Sequence, residues 1–269
     1  MDKLASLIFI CSFCCVSALI NITELKGPDS IEYGSTEEII LDCNFEAEKE
    51  RDLEVKWFYN GDTEVVYQWV PDSHKPGYAM GRLKGRIDLD YSATNDSNTR
   101  YRALKIFNVT TDLTGNYTCK VSSFDSEDSE TKQLIIYTPA RSGLDLVLLE
   151  EDQTVICTVY GVFPKPELKL YLTGENDTKL DVDEITVNNT QAYQEDPDNG
   201  SYNVTIVHYF PNLTSFSDNI DIVCELTIPG TDYFLSKSVT YHTESSAVIH
   251  SPGVIVSTIF ATAFLLLCK

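Results

Sequence analysis

The chain has 269 residues, with 20 Lys plus Arg against 41 Asp plus Glu and a formal net charge of −21. That length accommodates about two domains of ~100 residues together with end segments. The acidic balance argues against nucleic acid and anionic lipid as partners, because both are bound through basic patches.

After Lys3, residues Leu4 to Ile20 are nearly all apolar or small, and Val16-Ser17-Ala18 places small residues at the −3 and −1 positions of a cleavage site. This pattern predicts a secretory signal peptide over residues 1–18. An uncleaved membrane anchor fits less well, since the apolar run is short and a polar segment starts at Asn21. Ile22 to Thr36 reads as an irregular first strand broken at Gly27-Pro28. Alternation then predicts strands over Glu38–Phe45 and Leu53–Tyr59, with Val55, Trp57 and Tyr59 on one face and Lys56 and Phe58 on the other. Asn60-Gly61-Asp62 is a hairpin signal, and Val65–Val70 is the next strand. Pro71–Lys84 reads as a loop. Arg86–Tyr91, Tyr101–Phe107, Asn116–Ser122 and Thr131–Tyr137 complete the first set of strands.

Thr138-Pro139 marks a join with little room for a flexible linker. The second half repeats the plan more loosely over about 115 residues, with strands predicted at Gln153–Tyr160, Glu167–Leu172, Ser201–Tyr209, Asn219–Ile228 and Tyr233–His242. The predicted divisions are 1–18, 19–138, 139–243 and 244–269. In the last, the chain carries no charge from Gly253 to Cys268, and sixteen helical residues span only ~24 Å. Ser245-Ser246-Ala247 lies just upstream. Small residues, a short spacer and an apolar tail predict a glycolipid anchor attached at Ser245 or Ser246. The alternative is a single short span from Ala247 to Cys268. Either one attaches the chain to the outer face of the plasma membrane.

Cys11, Cys14 and Cys15 fall in the predicted signal and Cys268 in the tail. The remaining four, Cys43, Cys119, Cys157 and Cys224, allow three pairings. Cys43 is followed by Trp57, and Cys119 closes the run Gly115-Asn116-Tyr117-Thr118-Cys119. This constellation resembles an immunoglobulin-type sandwich. The resemblance implies an all-β chain of two tandem immunoglobulin-like β-sandwiches, variable-type and then constant-type, the extra strand at Val65 marking the first kind. It further implies bridges Cys43–Cys119 and Cys157–Cys224, each closing a loop of about 70 residues and worth roughly 4–5 kcal/mol. Trp57 would pack on the first bridge, and the Tyr117 hydroxyl would bond back to the backbone. In the second domain Leu170 occupies the tryptophan slot and Ile222 the tyrosine slot. Disulfides place the protein in an oxidising compartment.

Sequons occur at Asn21, Asn95, Asn108, Asn116, Asn176, Asn188, Asn199, Asn203 and Asn212. Nine in a signal-bearing chain predict a glycosylated surface. Asn108 and Asn116 map to a loop near the second domain. Residues 53–70 and 120–138 carry no sequon, which predicts one sugar-free sheet face.

Val55-Lys56-Trp57-Phe58-Tyr59, Val66-Tyr67-Gln68-Trp69-Val70-Pro71 and Gly115 to Ser122 are similar to the arthropod beaten-path family of neuronal recognition proteins. That resemblance implies a cell-surface protein that binds another immunoglobulin superfamily protein in adhesion or axon guidance. Asp112 stands one residue out of the family's Asp-x-Gly-x-Tyr-x-Cys frame, which sets the usual Arg–Asp bridge from Arg86 in doubt. Gly161-Val162-Phe163-Pro164 also looks like butyrophilin-like immune ligands. An immune ligand or secreted decoy is therefore the alternative function. The partner-binding face is expected on the first domain, with Phe58, Tyr67 and Trp69 pointing outward beside Lys56. The opposite register would put Tyr67 and Trp69 in the core and Gln68 outside. His74, Lys75, Arg82 and Lys84 are expected on one rim of the face and Asp125, Glu127, Asp128 and Glu130 on the other. Such a dipolar rim would orient a partner domain or allow a weak homodimer.

Little else carries chemistry. His74, His208, His242 and His250 are isolated, with no paired His or Cys spacing for zinc. His208 reads as structural. No hydrolase elbow, phosphate loop or dinucleotide loop occurs. The expectation is a binding protein without cofactor or metal, and a carboxylate-pair enzyme is only a distant alternative.

Overall fold

The computed structural model describes residues 20–47, 51–174, 190–195, 200–211, 213 and 219–242. The predicted signal peptide, the anchor residues Ser245 and Ser246, His250, and the sequons at Asn176, Asn188, Asn199 and Asn212 lie outside them.

Among the described residues, sixteen strands make two sandwiches. In the first, β1 (Asn21–Lys26), β3 (Glu38–Glu46) and β7 (Leu104–Phe107) form the back sheet in the order β1-β3-β7. The front sheet runs β2-β9-β8-β4-β5-β6, from β2 (Ser30–Glu32), β9 (Glu127–Tyr137), β8 (Gly115–Ser122), β4 (Glu54–Tyr59), β5 (Val65–Trp69) and β6 (Tyr78–Ala79). The first strand changes sheet at the expected Gly27-Pro28 break. β1 pairs with β3, and β2 pairs parallel to β9, Ser30 facing Ile135. Gly27 makes the crossing with φ 149°, and a Cβ there would stand 2.5 Å from Leu41 Cδ2. Only glycine fits that approach.

The core of this sandwich forms around Trp57, Cys43 and Cys119, all fully buried. The disulfide joins the two sheets with Cα atoms 6.3 Å apart. Trp57 Nε1 donates to the Arg102 carbonyl at 3.0 Å. Arg102 in turn grips Asp42 with two bonds, Nε to Oδ1 at 2.8 Å and Nη2 to Oδ2 at 3.1 Å. The buried Tyr117 hydroxyl donates to the Leu113 carbonyl at 2.8 Å, the corner that the motif implies.

Two expected elements differ. Arg86–Tyr91 narrows to one rung, Ile87 opposite Ile106, held by Phe107 N–H to Arg86 O and Asp88 N–H to Lys105 O. The Pro71–Lys84 loop contains 3-10 turns at Pro71–Ser73 and Gly81–Leu83 with β6 between them.

In the second sandwich one sheet runs β10-β11-β14-β13 and the other β12-β15-β16. The first comprises β10 (Asp145–Leu149), β11 (Thr154–Val162), β14 (Tyr202–Tyr209) and β13 (Thr190–Glu195). The second comprises β12 (Glu167–Thr173), β15 (Ile220–Thr227) and β16 (Phe234–Tyr241). Four strands facing three is the constant-type arrangement. Sequence reading missed β10 and β13, both short strands at sheet edges. Cys157 and Cys224 are bonded, and Leu170 and Ile222 are buried in the two aromatic slots. The sandwiches meet where Thr138 pairs with Phe163, the Ala140 N–H donates to Tyr233 Oη at 3.0 Å, and the Tyr137 and Tyr233 rings sit 5.6 Å apart.

Candidate recognition surface

The outward side of the front sheet is set by register. In the β4–β5 pair, Val55 faces Trp69, Lys56 faces Gln68 and Trp57 faces Tyr67, with a bulge before Phe58 meets Val65. Opposed residues of an antiparallel pair share a face. Since Trp57 is in the core, Tyr67 must be as well, and Trp69 follows Val55. The expected outward aromatics are therefore corrected: Tyr67 and Trp69 are each only 2 % exposed. Tyr67 Oη donates to the Tyr101 carbonyl at 2.8 Å, and burial pushes its phenol far above the usual value. Trp69 Nε1 donates to the Lys75 carbonyl at 3.2 Å, and its ring meets Tyr101 edge-on at 5.8 Å. Phe58 does alternate away from Trp57, yet it is 8 % exposed and offers no free anchor.

The outward positions are polar instead. Lys56 is half-buried, with Nζ 2.6 Å from Glu54 Oε2. Gln68 Nε2 donates to Glu54, and the exposed Tyr78 hydroxyl donates to Gln68 Oε1. On the neighbouring strands Lys120 pairs with Glu127 at 2.7 Å, and the Thr118 and Thr131 hydroxyls bond at 2.8 Å. Asn116 lies in β8, not in a loop, and is exposed on this same outward side two residues before Thr118. The face is thus not free of sequons: a glycan on Asn116 would stand at the end where β8 begins. Asn21, Asn95 and Asn108 are exposed elsewhere, and Asn203 is half-buried in β14.

Of the expected rim, His74, Lys75, Lys84, Asp125, Glu127 and Glu130 are exposed and Asp128 is half-buried, while Arg82 is engaged in contacts within the sandwich. Arg82 folds against the end of the sandwich, its guanidinium 4.6 Å above the Tyr59 ring and Nη1 2.9 Å from the Asp112 carbonyl oxygen. Arg86 also reaches Asp112, with Nη1 at 3.2 and 3.1 Å from the two carboxylate oxygens. The doubted bridge forms because a 3-10 turn over Thr111–Leu113 swings Asp112 toward Arg86. Burial alone would raise the Asp112 carboxyl. The Thr110 hydroxyl, Arg86 and Arg82 outweigh it and hold the group below its usual value.

Sequence reading missed the most exposed large apolar side chain among the described residues. Phe124, on the hairpin between β8 and β9, is 91 % exposed. Its turn is tightly tied: Ser123 N–H to Ser126 O at 2.8 Å, and the Asp125 and Ser126 N–H groups to Ser123 Oγ at 3.2 and 3.1 Å. The first strand fastens it further, Ile20 N–H to Ser126 Oγ at 2.9 Å and Ile22 N–H to Asp128 Oδ2 at 2.7 Å. The signal in the sequence was Ser-Ser-Phe-Asp-Ser, a lone aromatic among turn formers. Asp125 and Glu127 flank it and are exposed.

Among the described residues no group of three or more His, Cys, Asp or Glu could hold a metal ion, and no helix is long and apolar enough to cross a membrane. His208 is buried with Nδ1 unpartnered, its ring 4.3 Å from Phe210, and burial lowers its pKa. This geometry suits a neutral core imidazole.

The family model for the CD47 immunoglobulin-like domain matches residues 8–139. No curated protein matches the chain. Among solved structures, bovine butyrophilin matches at 14 % identity over 83 % of this chain and 98 % of its own, with a TM-score of 0.53. The extracellular portion of mouse CD200RLa matches at 15 % identity over 80 % of this chain and 97 % of its own, with a TM-score of 0.44. Residues 8–139 are thus similar to an immunoglobulin-like variable-set domain, and the chain has the fold of two tandem immunoglobulin-like sandwiches.

Proposed function

We propose that this chain is a cell-surface recognition protein whose first sandwich binds another immunoglobulin-type protein. The observation that carries the reading is Phe124: a fully presented aromatic on a loop closed by hydrogen bonds within the turn and from the first strand is an anchor whose ordering cost is already met in the free protein. The polar network of Glu54, Lys56, Gln68 and Tyr78 on the adjoining sheet supplies a hydrated surround. The carboxylates near Phe124 favour a partner with cations around its apolar pocket. The resemblance to beaten-path proteins favours adhesion or axon guidance as the setting. In this reading the signal peptide is removed, the chain is held at the membrane through Ser245 or Ser246, and self-pairing is weak.

The test is an unbiased binding screen with the intact extracellular product against immunoglobulin-type ectodomains, repeated with Phe124→Ala. A partner bound by the native protein and lost in the variant supports the reading. A partner bound equally by both, and lost only when second-sandwich surface residues are changed, refutes it. Release of the protein from cells by a phospholipase specific for glycolipid anchors tests the attachment; retention of Phe264 to Lys269 in the mature mass would show a membrane span instead.

A further inference from the structure

The outward face of the β10-β11-β14 sheet in the second sandwich is unusually apolar for so acidic a chain. Register lines up Val147, Ile156 and Val207 in one cross-strand row, and Leu149, Thr154 and Tyr209 in the next. Val147, Leu149, Val207, Tyr209 and, further along β11, Tyr160 are between 39 % and 57 % exposed. Among the described side chains of these strands, Asp145 is the one carboxylate on this face. Asp145 lies at one end of the face and Arg141 packs on Gly161 at the end near Asn203, and the apolar rows between them call for a cover.

The face carries its own candidate. Asn203 alternates outward with Thr205, Val207 and Tyr209 along β14, and Asn203-Val204-Thr205 is a sequon. The strand pairs step from Val159↔Val204 to Val162↔Tyr202, so Asn203 stands opposite the bulged Tyr160-Gly161 pair. Gly161 takes φ 71° there, and its N–H donates to Asn203 Oδ1 at 3.0 Å. That bond orients the amide through Oδ1, in a stretch where the exposed Tyr160 stands opposite Asn203 in the strand pairing.

We infer that an N-linked glycan on Asn203 covers this apolar face, its first sugars lying on Tyr160 and its branches on the Val147–Val207 and Leu149–Tyr209 rows. Val207 lies about 13 Å and Tyr209 about 20 Å along the strand from Asn203, within reach of a branched oligosaccharide. The apolar faces of sugar rings pack on aromatic and aliphatic side chains while their hydroxyls stay in water, which suits a face whose outward side chains are mostly apolar. Attachment replaces one Nδ2 hydrogen by the anomeric carbon of the first sugar; the donor is a lipid-diphosphate oligosaccharide, whose C–O bond breaks as the diphosphate leaves with the electron pair. In the folded chain Asn203 Oδ1 is held by Gly161, and the Thr205 hydroxyl is bonded to Thr158 at 3.2 Å. The transfer therefore precedes pairing of β14 with β11. This inference needs passage through the secretory route but not the recognition role proposed above.

The experiment expresses the full chain in a eukaryotic secretory host and purifies the extracellular product. Peptide mass mapping reads occupancy of Asn203. Light scattering and hydrogen exchange are then compared for four samples: the native glycoprotein, the same protein enzymatically deglycosylated after folding, Asn203→Gln, and Thr205→Ser, which keeps the sequon. Asn95→Gln controls for loss of any glycan. The expected result is an occupied Asn203, with self-association at least tenfold stronger and faster exchange in β10 and β11 in the deglycosylated and Asn203→Gln samples only. Should Asn203→Gln fail to fold, the sample deglycosylated after folding still decides. An unmodified Asn203 overturns the inference, as does a deglycosylated protein that stays monomeric with unchanged exchange. So does a native glycoprotein that already dimerises and is made monomeric by Val207→Asp, which would make a second copy the cover.

Discussion

Truncating Trp69 separates the observed register from an outward one. The ring is 2 % exposed, bonds the Lys75 carbonyl and packs edge-on against Tyr101. Removing a buried tryptophan costs about 3–5 kcal/mol through lost transfer energy and the cavity left behind. The Lys75 carbonyl adds little to this, because Lys75 is exposed and water can replace the indole. For a sandwich of about 100 residues, each kcal/mol lowers Tm by roughly 4–8 °C, so Trp69→Ala should lose well over 10 °C and much of its secretion. Phe124→Ala removes a side chain 91 % exposed. It should change stability by less than about 0.5 kcal/mol while weakening partner binding by about 2 kcal/mol, near thirtyfold. Thermal melts of the two secreted variants, read beside their affinities on a sensor surface, check both halves. A Trp69→Ala protein that melts like the native one and has lost binding would refute the register argument. A Phe124→Ala protein that binds unchanged would remove the anchor.

Tyr117→Phe strands the buried Leu113 carbonyl and should cost about 1–3 kcal/mol in urea unfolding; an unchanged midpoint would show that water reaches the corner. Replacing Cys43 and Cys119 together by serine should cost about 4–5 kcal/mol and nearly abolish secretion, read as extracellular yield against intracellular protein. Asp112→Asn should cost only about 0.5–1 kcal/mol, because Asp112 is 44 % exposed and Arg86 27 %; denaturant midpoints decide. The lowered pKa of His208 means that the unfolded chain takes up its proton first as pH falls below the usual imidazole value of about 6.5. The stability due to the neutral ring is therefore complete above that value and lost as pH falls through the native pKa. His208→Phe should flatten the fall in stability that begins below about pH 6.5, and an unchanged slope there would show the ring is not buried.

What the sequence by itself determined is the set of features that depend on local spacing. Cys43, Trp57, Tyr117 and Cys119 define the first core because each occupies a strand position whose inward direction follows from alternation. The sequons and the long strands were legible for the same reason. The tertiary structure decided everything that depends on how one strand meets another. Tyr67 and Trp69 alternate as well in one register as in the other, and only their alignment with Trp57 and Val55 turns them inward. Asp112 is one residue out of frame in the sequence, and a 3-10 turn makes up the difference, because a salt bridge needs a position in space and not a residue count. Phe124 is one aromatic among many until its turn is closed by bonds from a strand about 100 residues away. The apolar face of the second sandwich was hidden because β10 is short and its rows exist only across strands: Val147 and Val207 lie far apart in the chain and become neighbours through Ile156.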